Sequence, residues 1–250
     1  MTTTKHSATL LLIPGLLNTP AVYDRLLRHL RDLPWPGGAA PRCVVADVRE
    51  PASIPAMASH AWTRVADVPA EAPLLIAGFS MGGYVALHML ADPRRPVQGL
   101  ALVCTSARPD TPEGAAVRER AIAAIERDFD RYVGTLVSFL LTPTGLEDKA
   151  LVAEVRADMA AVGPVAAARQ HRAAAARTDQ REFVRQLALP VQVVGGSADK
   201  VTPPALSQEL AALMPGAELE LIESAGHLVP FEHPARLAAQ LRRLVHRLAP

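Results

Sequence analysis

Five uninterrupted apolar or β-branched positions, Thr9-Leu10-Leu11-Leu12-Ile13, open the patterned part of the chain and end at Pro14-Gly15. A continuous run of that length, with no alternation, is the mark of a strand buried on both faces. Residues 20–33 follow with apolar positions at Val22, Leu26, Leu27, Leu30 and Leu33, a helical stripe with proline in its first turn. The same alternation continues through a strand at 42–47, a helix at 54–68, strands at 73–77 and 97–103, and a helix after residue 80. Strands separated by helices at these distances predict parallel pairing through right-handed crossovers, and so a sheet covered on both faces.

From about residue 108 to 187 no strand-like run occurs. Helical patterns at 112–127, 129–141, 147–162, 164–177 and 181–187 follow one another, punctuated by Thr142-Pro143-Thr144-Gly145 and Gly163-Pro164. The alternation then resumes with a strand at 190–196, a helix at 204–214, a strand at 218–222 and a last helix at 234–248. This order predicts one α/β domain over 1–250, with a doubly wound core from 1–107 and 188–250. The all-helical insertion at 108–187 is expected to sit above the sheet as a cap. The sheet is expected to hold about six strands, mostly or wholly parallel.

The 250 residues are half apolar, and 26 Lys and Arg stand against 25 Asp and Glu. That balance gives no electrostatic reason to expect nucleic acid, and no basic stripe with interleaved aromatics occurs. Cys43 and Cys104 lie in β-branched, apolar stretches and read as buried free thiols. No Cys/His spacing of a metal site is present, and no metal or cofactor is expected. The first apolar run is too short for a signal-peptide core or a membrane span, which points to a cytoplasmic protein without membrane attachment, as monomer or homodimer.

The chemistry enters at Gly78-Phe79-Ser80-Met81-Gly82, a G-x-S-x-G directly after the strand at 73–77. A serine squeezed between glycines where a buried strand becomes a helix occupies a sharp turn, with its hydroxyl held out of the sheet. Side chains two residues either side would collide with neighbouring backbone, which accounts for both glycines. A serine hydroxyl needs a base, normally a histidine oriented by a carboxylate. His227, in Ser224-Ala225-Gly226-His227-Leu228, lies just past a strand's carboxyl end, where open parallel sheets place functional groups. Asp199, in Gly195-Gly196-Ser197-Ala198-Asp199, occupies the equivalent place after the preceding strand. The order Ser80, Asp199, His227 is the one such sheet enzymes use. Oxyanion donors are expected from the backbone N–H of Met81, at a helix N-terminus, and of Leu16, in the turn after the first strand.

With these residues in place the chain resembles the α/β-hydrolase superfamily, in its cap-bearing esterase and enol-lactonase branch. The resemblance rests on the strand–Gly-Phe-Ser-Met-Gly-Gly–helix, on Gly196-Ser197-Ala198-Asp199-Lys200-Val201-Thr202-Pro203-Pro204, and on Ala225-Gly226-His227-Leu228-Val229-Pro230-Phe231-Glu232-His233-Pro234. It spans Leu10 to Leu248. It implies Ser80 as nucleophile, His227 as base, Asp199 as orienting acid, and Leu16 and Met81 as oxyanion donors. The implied substrate is a small-molecule ester or lactone, and the apolar cap favours a small or medium, largely apolar acyl group. Enol-lactone opening, C–C bond hydrolysis and acyl transfer use the same residues, and a hydrolase-shaped binding protein is the reading from another class. Where relatives carry His-Gly in the first turn, this chain has Pro14-Gly15, so proline is left to stiffen the loop. Relatives also begin with an antiparallel strand pair, whereas only about eight residues precede the first strand here, so the resemblance implies a sheet truncated at its N-terminal edge.

Among rival residues, Asp110 follows the strand at 97–103 and is an alternative acid, although Thr111-Pro112 after it reads as a helix cap. His88 lies about 12 Å along the helix from Ser80, too far to act as its base. His60, His171, His233 and His246 fall in or beside helices and read as surface or packing residues. Arg169, Arg172 and Arg177 are candidates for a substrate carboxylate, with solvated helix faces as the plainer role. Leu136, Phe139, Leu140, Leu141, Met159 and Val162 are expected to divide between cap core and pocket wall.

Overall fold

The computed structural model describes residues 7–35 and 40–248. Six strands, β1 (Thr9–Ile13), β2 (Arg42–Val45), β3 (Leu74–Phe79), β4 (Gly99–Val103), β5 (Val191–Gly196) and β6 (Ala217–Ile222), form one sheet in the order β2-β1-β3-β4-β5-β6. Every pairing is parallel. The four inner strands are buried along their whole length, the polar Gln192 of β5 included, while edge strands β2 and β6 are partly exposed. The chain runs outward from β1 to β2, then returns across β1 to β3. The strand order therefore reverses between β1 and β3, and the loops leaving their carboxyl ends open a crevice there.

Alternate residues of β1 feed opposite layers. Leu10 and Leu12 pack with Leu26 and Leu30 of α1 (Asp24–Asp32) and with Leu237, Leu241 and Leu244 of α12 (Pro234–His246). Leu11 and Ile13 pack with Met57 and Trp62 of α2 (Ile54–Thr63), Val85 of α3 (Met81–Ala91) and Leu210 of α10 (Pro204–Leu213). The first layer continues without a break into the helical insertion, through Val133, Val137, Val155 and Met159.

That insertion holds α4 (Pro112–Arg127), α5 (Phe129–Leu140), α6 (Pro143–Glu147), α7 (Lys149–Val162), α8 (Pro164–Ala175) and α9 (Arg181–Val184). Thr111, Asp128 and Asp148 cap α4, α5 and α7 through their side-chain oxygens. Three local details differ from the sequence reading. The stripe at 20–33 starts as a 3-10 turn, Pro20–Tyr23, because Thr19 accepts the Ala21 N–H and closes a tighter first turn. The Thr142-Pro143 break is itself the start of α6, with Thr142 as cap and proline in the first turn. A short α11 (Val229–Glu232) follows the His227 loop. Among the described residues no helix is long and apolar enough to cross a membrane.

Candidate active site

Ser80 sits between β3 and α3 with φ 52° and ψ −116°, a positive φ that a non-glycine residue adopts only when its surroundings impose it. They do so from three sides. The Ser80 N–H donates to the Val103 carbonyl at 2.8 Å, and the Thr105 hydroxyl donates to the Ser80 carbonyl at 2.8 Å. The flanking glycines allow the close approach that completes the turn. A Cβ on Gly78 would lie 2.3 Å from the Gly82 carbonyl oxygen, and one on Gly82 would lie 2.1 Å from that of Ile13. The elbow is thus wedged against the end of β1, the other lip of the crevice.

The loops after β5 and β6 bring Asp199 and His227 to the same place. His227 Nε2 lies 3.0 Å from Ser80 Oγ, and its Nδ1 lies 2.8 Å from Asp199 Oδ2. A carboxylate can only accept there, so Nδ1 carries the ring proton and Nε2 is free to take one from the serine. Both side chains are buried, and the imidazole packs on Phe79 with ring centroids 5.4 Å apart. Asp199 also accepts from the Val201 and Thr202 N–H groups at 2.8 and 2.9 Å and from the Thr202 hydroxyl at 2.6 Å. Burial by itself pushes the Asp199 carboxyl up; the His227 and Thr202 hydrogen bonds and the attraction of the imidazole outweigh it and hold the group below the usual carboxylate range. The buried Cys104 thiol lies beside this pair, with its sulfur, the Asp199 carboxylate and a His227 nitrogen within 4.8 Å of one another. Burial, followed by the Asp199 charge, holds the Cys104 thiol well above its usual value.

The His227 loop is tied to the helical insertion. The Glu232 carboxylate accepts from the Gly226 N–H at 3.1 Å with one oxygen, and from the Thr142 N–H and hydroxyl at 3.1 and 2.9 Å with the other. The His227 N–H donates to the Leu140 carbonyl at 3.2 Å. Glu232 was not singled out from the sequence, although its place five residues after His227 puts it within reach of the same loop.

Leu16 and Met81 both line the cavity at Ser80. Met81 is the first residue of α3, so its N–H has no intrahelical acceptor. The β1 turn that carries Leu16 is held by the insertion, not by proline alone. Gln170 of α8 accepts the Leu17 N–H at 2.8 Å, across 153 residues, and Leu17 has a positive φ of 59°. Asp158 of α7 accepts from Asn18 Nδ2 at 2.9 Å, from the Thr19 N–H at 3.2 Å and from the Thr19 hydroxyl. Tyr23 donates to the Ile13 carbonyl at 2.8 Å and fixes the start of the turn. Burial raises the Asp158 carboxyl above its usual value, with the Thr19 and Asn18 hydrogen bonds working against that rise.

Beside Ser80 and His227 lies a cavity of about 340 Å³, lined also by residues of α4, α5 and α8. Leu136, Phe139 and Leu140 of α5 line it, whereas Leu141, Met159 and Val162 are core. Asp110 also lines it, but both its oxygens are engaged by arginines, Oδ2 by Arg118 Nε at 2.5 Å and Oδ1 by Arg177 Nη2 at 2.9 Å. It makes no hydrogen bond to His227, so the alternative acid is set aside. Of the cap arginines, Arg169 reaches Glu50 and Arg172 reaches Glu126 on exposed surfaces. Arg177 departs from the solvated role, since its side chain is only 10% exposed and its guanidinium stacks over Tyr84 at 4.5 Å. His88 borders a separate cavity of about 100 Å³, and His60, His233 and His246 lie outside both. His171 differs from the expected packing role, for it lines the main cavity and bonds Tyr132.

Residues 68–234 match the family model described as the alpha/beta hydrolase fold. The chain belongs to the α/β-hydrolase fold family. Within that family it is similar to two proteins named pimeloyl-(acyl-carrier protein) methyl ester esterase. One, from Xanthomonas oryzae pv. oryzae, is 30% identical over 87% of this chain and 83% of its own length. The other, from Neisseria meningitidis serogroup A, is 29% identical over 90% of this chain and 72% of its own length. Among solved structures, a thermophilic esterase from Thermogutta terrifontis superposes with a TM-score of 0.83 at 23% identity, over 99% of this chain and 92% of that one. The enol-lactonase from Burkholderia xenovorans gives 0.80 at 18% identity, over 98% and 94%. At such identities these structures speak for the fold.

Proposed function

We propose that this protein is a serine carboxylesterase that cleaves a small or medium ester through an acyl-enzyme. The observation that carries the reading is the unbroken relay from Ser80 Oγ to His227 Nε2 at 3.0 Å and from His227 Nδ1 to Asp199 Oδ2 at 2.8 Å, at the base of a cavity. In this reading Ser80 Oγ attacks the ester carbonyl carbon while its proton passes to His227 Nε2. The charge that develops on the carbonyl oxygen is met by the N–H groups of Met81 and Leu16. The tetrahedral intermediate collapses, the C–O bond to the alcohol breaks, and His227 returns the proton to the departing alkoxide. Water, deprotonated by His227, then attacks the acyl-serine; its collapse releases the carboxylic acid and restores Ser80. Asp199 keeps the imidazole in the tautomer that leaves Nε2 basic and stabilises the imidazolium as it forms.

The methyl ester esterase names borne by the relatives point to the same bond and to a small leaving alcohol. The division into a core of 1–107 and 188–250 and a cap of 108–187 fits the reading, because the cap helices wall the cavity that the core floors with Ser80 and His227. Labelling with a fluorophosphonate, compared between wild type and Ser80→Ala, tests it. The wild type is expected to take up the label and hydrolyse p-nitrophenyl butyrate, and the variant to do neither. A wild type that does neither overturns the esterase and leaves a binding protein of hydrolase shape.

A further inference from the structure

One wall of the cavity is more polar than the proposed ester chemistry requires. Asp110, Arg118, Tyr132 and His171 all face it. Two guanidinium groups meet the single Asp110 carboxylate, which leaves one positive charge uncompensated within this group. Each Arg177 nitrogen has a partner: Nη2 is ion-paired with Asp110 at 2.9 Å, Nε donates to the Arg108 carbonyl at 2.9 Å and Nη1 to the Ala174 carbonyl at 2.7 Å. Arg118 differs. Its Nε is fixed on Asp110 at 2.5 Å, while its two Nη groups have no hydrogen-bond partner among the described residues. Its side chain is one-fifth exposed, and Arg118 lines the cavity.

The neighbouring pair is also incompletely used. His171 is only 6% exposed, and its Nε2 lies 3.0 Å from the Tyr132 hydroxyl. Its Nδ1 is buried with no partner. Burial, and next the positive charge of Arg118, hold the His171 ring down to about 4, so it is neutral and adds no charge of its own. When Nε2 carries the ring proton and gives it to the Tyr132 oxygen, the phenol proton is left for a ligand.

We infer that this wall is an anion subsite, in which the Arg118 Nη pair and the Tyr132 hydroxyl receive a carboxylate carried by the substrate. The preferred esters are then those with a free carboxylate elsewhere in the molecule, half-esters of dicarboxylic acids being the simplest. The assignment rests on the ester-hydrolase reading and narrows it. An arginine with its Nε already fixed presents a pre-oriented Nη pair, and a carboxylate matches that pair with two parallel charge-assisted bonds. Leu136, Phe139 and Leu140 line the same cavity and give the rest of the substrate an apolar wall.

The test compares monoethyl adipate with diethyl adipate. For the wild type, kcat/KM is expected to favour the half-ester by about 10- to 100-fold, the usual worth of a hydrogen-bonded charge. Arg118→Gln is expected to collapse that ratio and Arg118→Lys to keep part of it. Asp110→Asn, whose amide oxygen can still accept from the Arg118 Nε while the competing negative charge is gone, is expected to tighten half-ester binding and so move KM in the opposite direction. Calorimetry on Ser80→Ala reads the subsite without turnover, and monoethyl adipate is expected to bind more tightly than diethyl adipate. Equal binding of the two by Ser80→Ala, or an unchanged ratio in a folded Arg118→Gln, overturns the subsite. If the wild type hydrolyses neither ester, the esterase reading fails, while the calorimetric comparison still decides the subsite. Should Arg118→Gln fail to fold, Asp110→Asn and Arg118→Lys decide it by the same titration.

Discussion

Gln170→Met removes one acceptor from the loop that presents Leu16 and preserves most of the side-chain volume. Gln170 is fully buried, and its Oε1 is the acceptor for the Leu17 N–H at 2.8 Å. Leu17 has φ 59°, a left-handed conformation that costs about 1–2 kcal/mol in a residue with a Cβ and persists only where something holds it. Methionine leaves the buried N–H unpaired, at about 1–3 kcal/mol. In a chain of this size that loss lowers Tm by about 2–12 °C. Catalysis separates a brace from a plain packing contact. Loss of an oxyanion donor costs about 100- to 1000-fold in kcat. Because Asp158 still holds Asn18 and Thr19, part of that is expected here, a fall of about 10- to 100-fold with KM changed by about threefold at most. Gln170→Glu keeps an oxygen facing Leu17 and is expected to recover most of kcat. Steady-state hydrolysis of p-nitrophenyl butyrate, run beside thermal melts, measures both effects. A Gln170→Met protein with a lowered Tm and wild-type kcat refutes the reasoning, for it would mean that the Leu16 N–H keeps its aim without the cap.

Asp199→Asn reverses the tautomer preference of His227 and is expected to lower kcat by about four orders of magnitude in the same assay. Wild-type turnover in that variant would remove Asp199 from the relay. Glu232→Gln cannot accept from Gly226 on one side and Thr142 on the other, because one of its two ends is now a donor. It is expected to lose about 1–3 kcal/mol in urea unfolding and several-fold in kcat; a stability loss with kcat unchanged would confine Glu232 to holding the cap. His171 sets a pH dependence. Its ring titrates at about 4 in the fold against 6.5 when unconstrained, so between those values the unfolded chain binds the proton and the folded one does not. Stability from the neutral ring is complete above about pH 6.5 and falls as the pH drops, reaching a loss of about 3 kcal/mol at pH 4 and then levelling. The raised carboxyl of Asp158 acts with the opposite sign over part of that range, so the difference between wild type and His171→Gln isolates the histidine. Urea midpoints at pH 7 and pH 4.5 that shift equally in both proteins would contradict it.

What could be read from the sequence depended on how local the governing interactions are. The buried strands and the Ser80 elbow were legible because much of their cause lies within ten residues: an unbroken apolar run, then a glycine at 78 where the backbone must approach Gly82. Asp199 and His227 were legible because the carboxyl ends of adjacent parallel strands must open on one crevice, whatever their side chains. The first turn was harder. Proline at position 14 suggested a stiff loop, yet the loop is held by Gln170 and Asp158, which lie about 140–150 residues away on helices read only by their helical pattern. A glutamine or aspartate on such a helix gives no sign of facing inward until the opposite surface is known. The same limit applies to Arg177, which resembles a solvated cation in the sequence and becomes half of the clamp on Asp110 in the fold. Both misreadings involve polar residues of the cap that point down at the core, and this asymmetry has a physical basis. Apolar patterning specifies where a helix buries its face, whereas a buried polar group takes its meaning from its partner. In the proposed reading, a cap joined to the core through Gln170, Asp158 and Glu232 belongs to the catalytic framework, and exchanging it for another helical insertion is expected to disturb the turnover number as well as the choice of substrate.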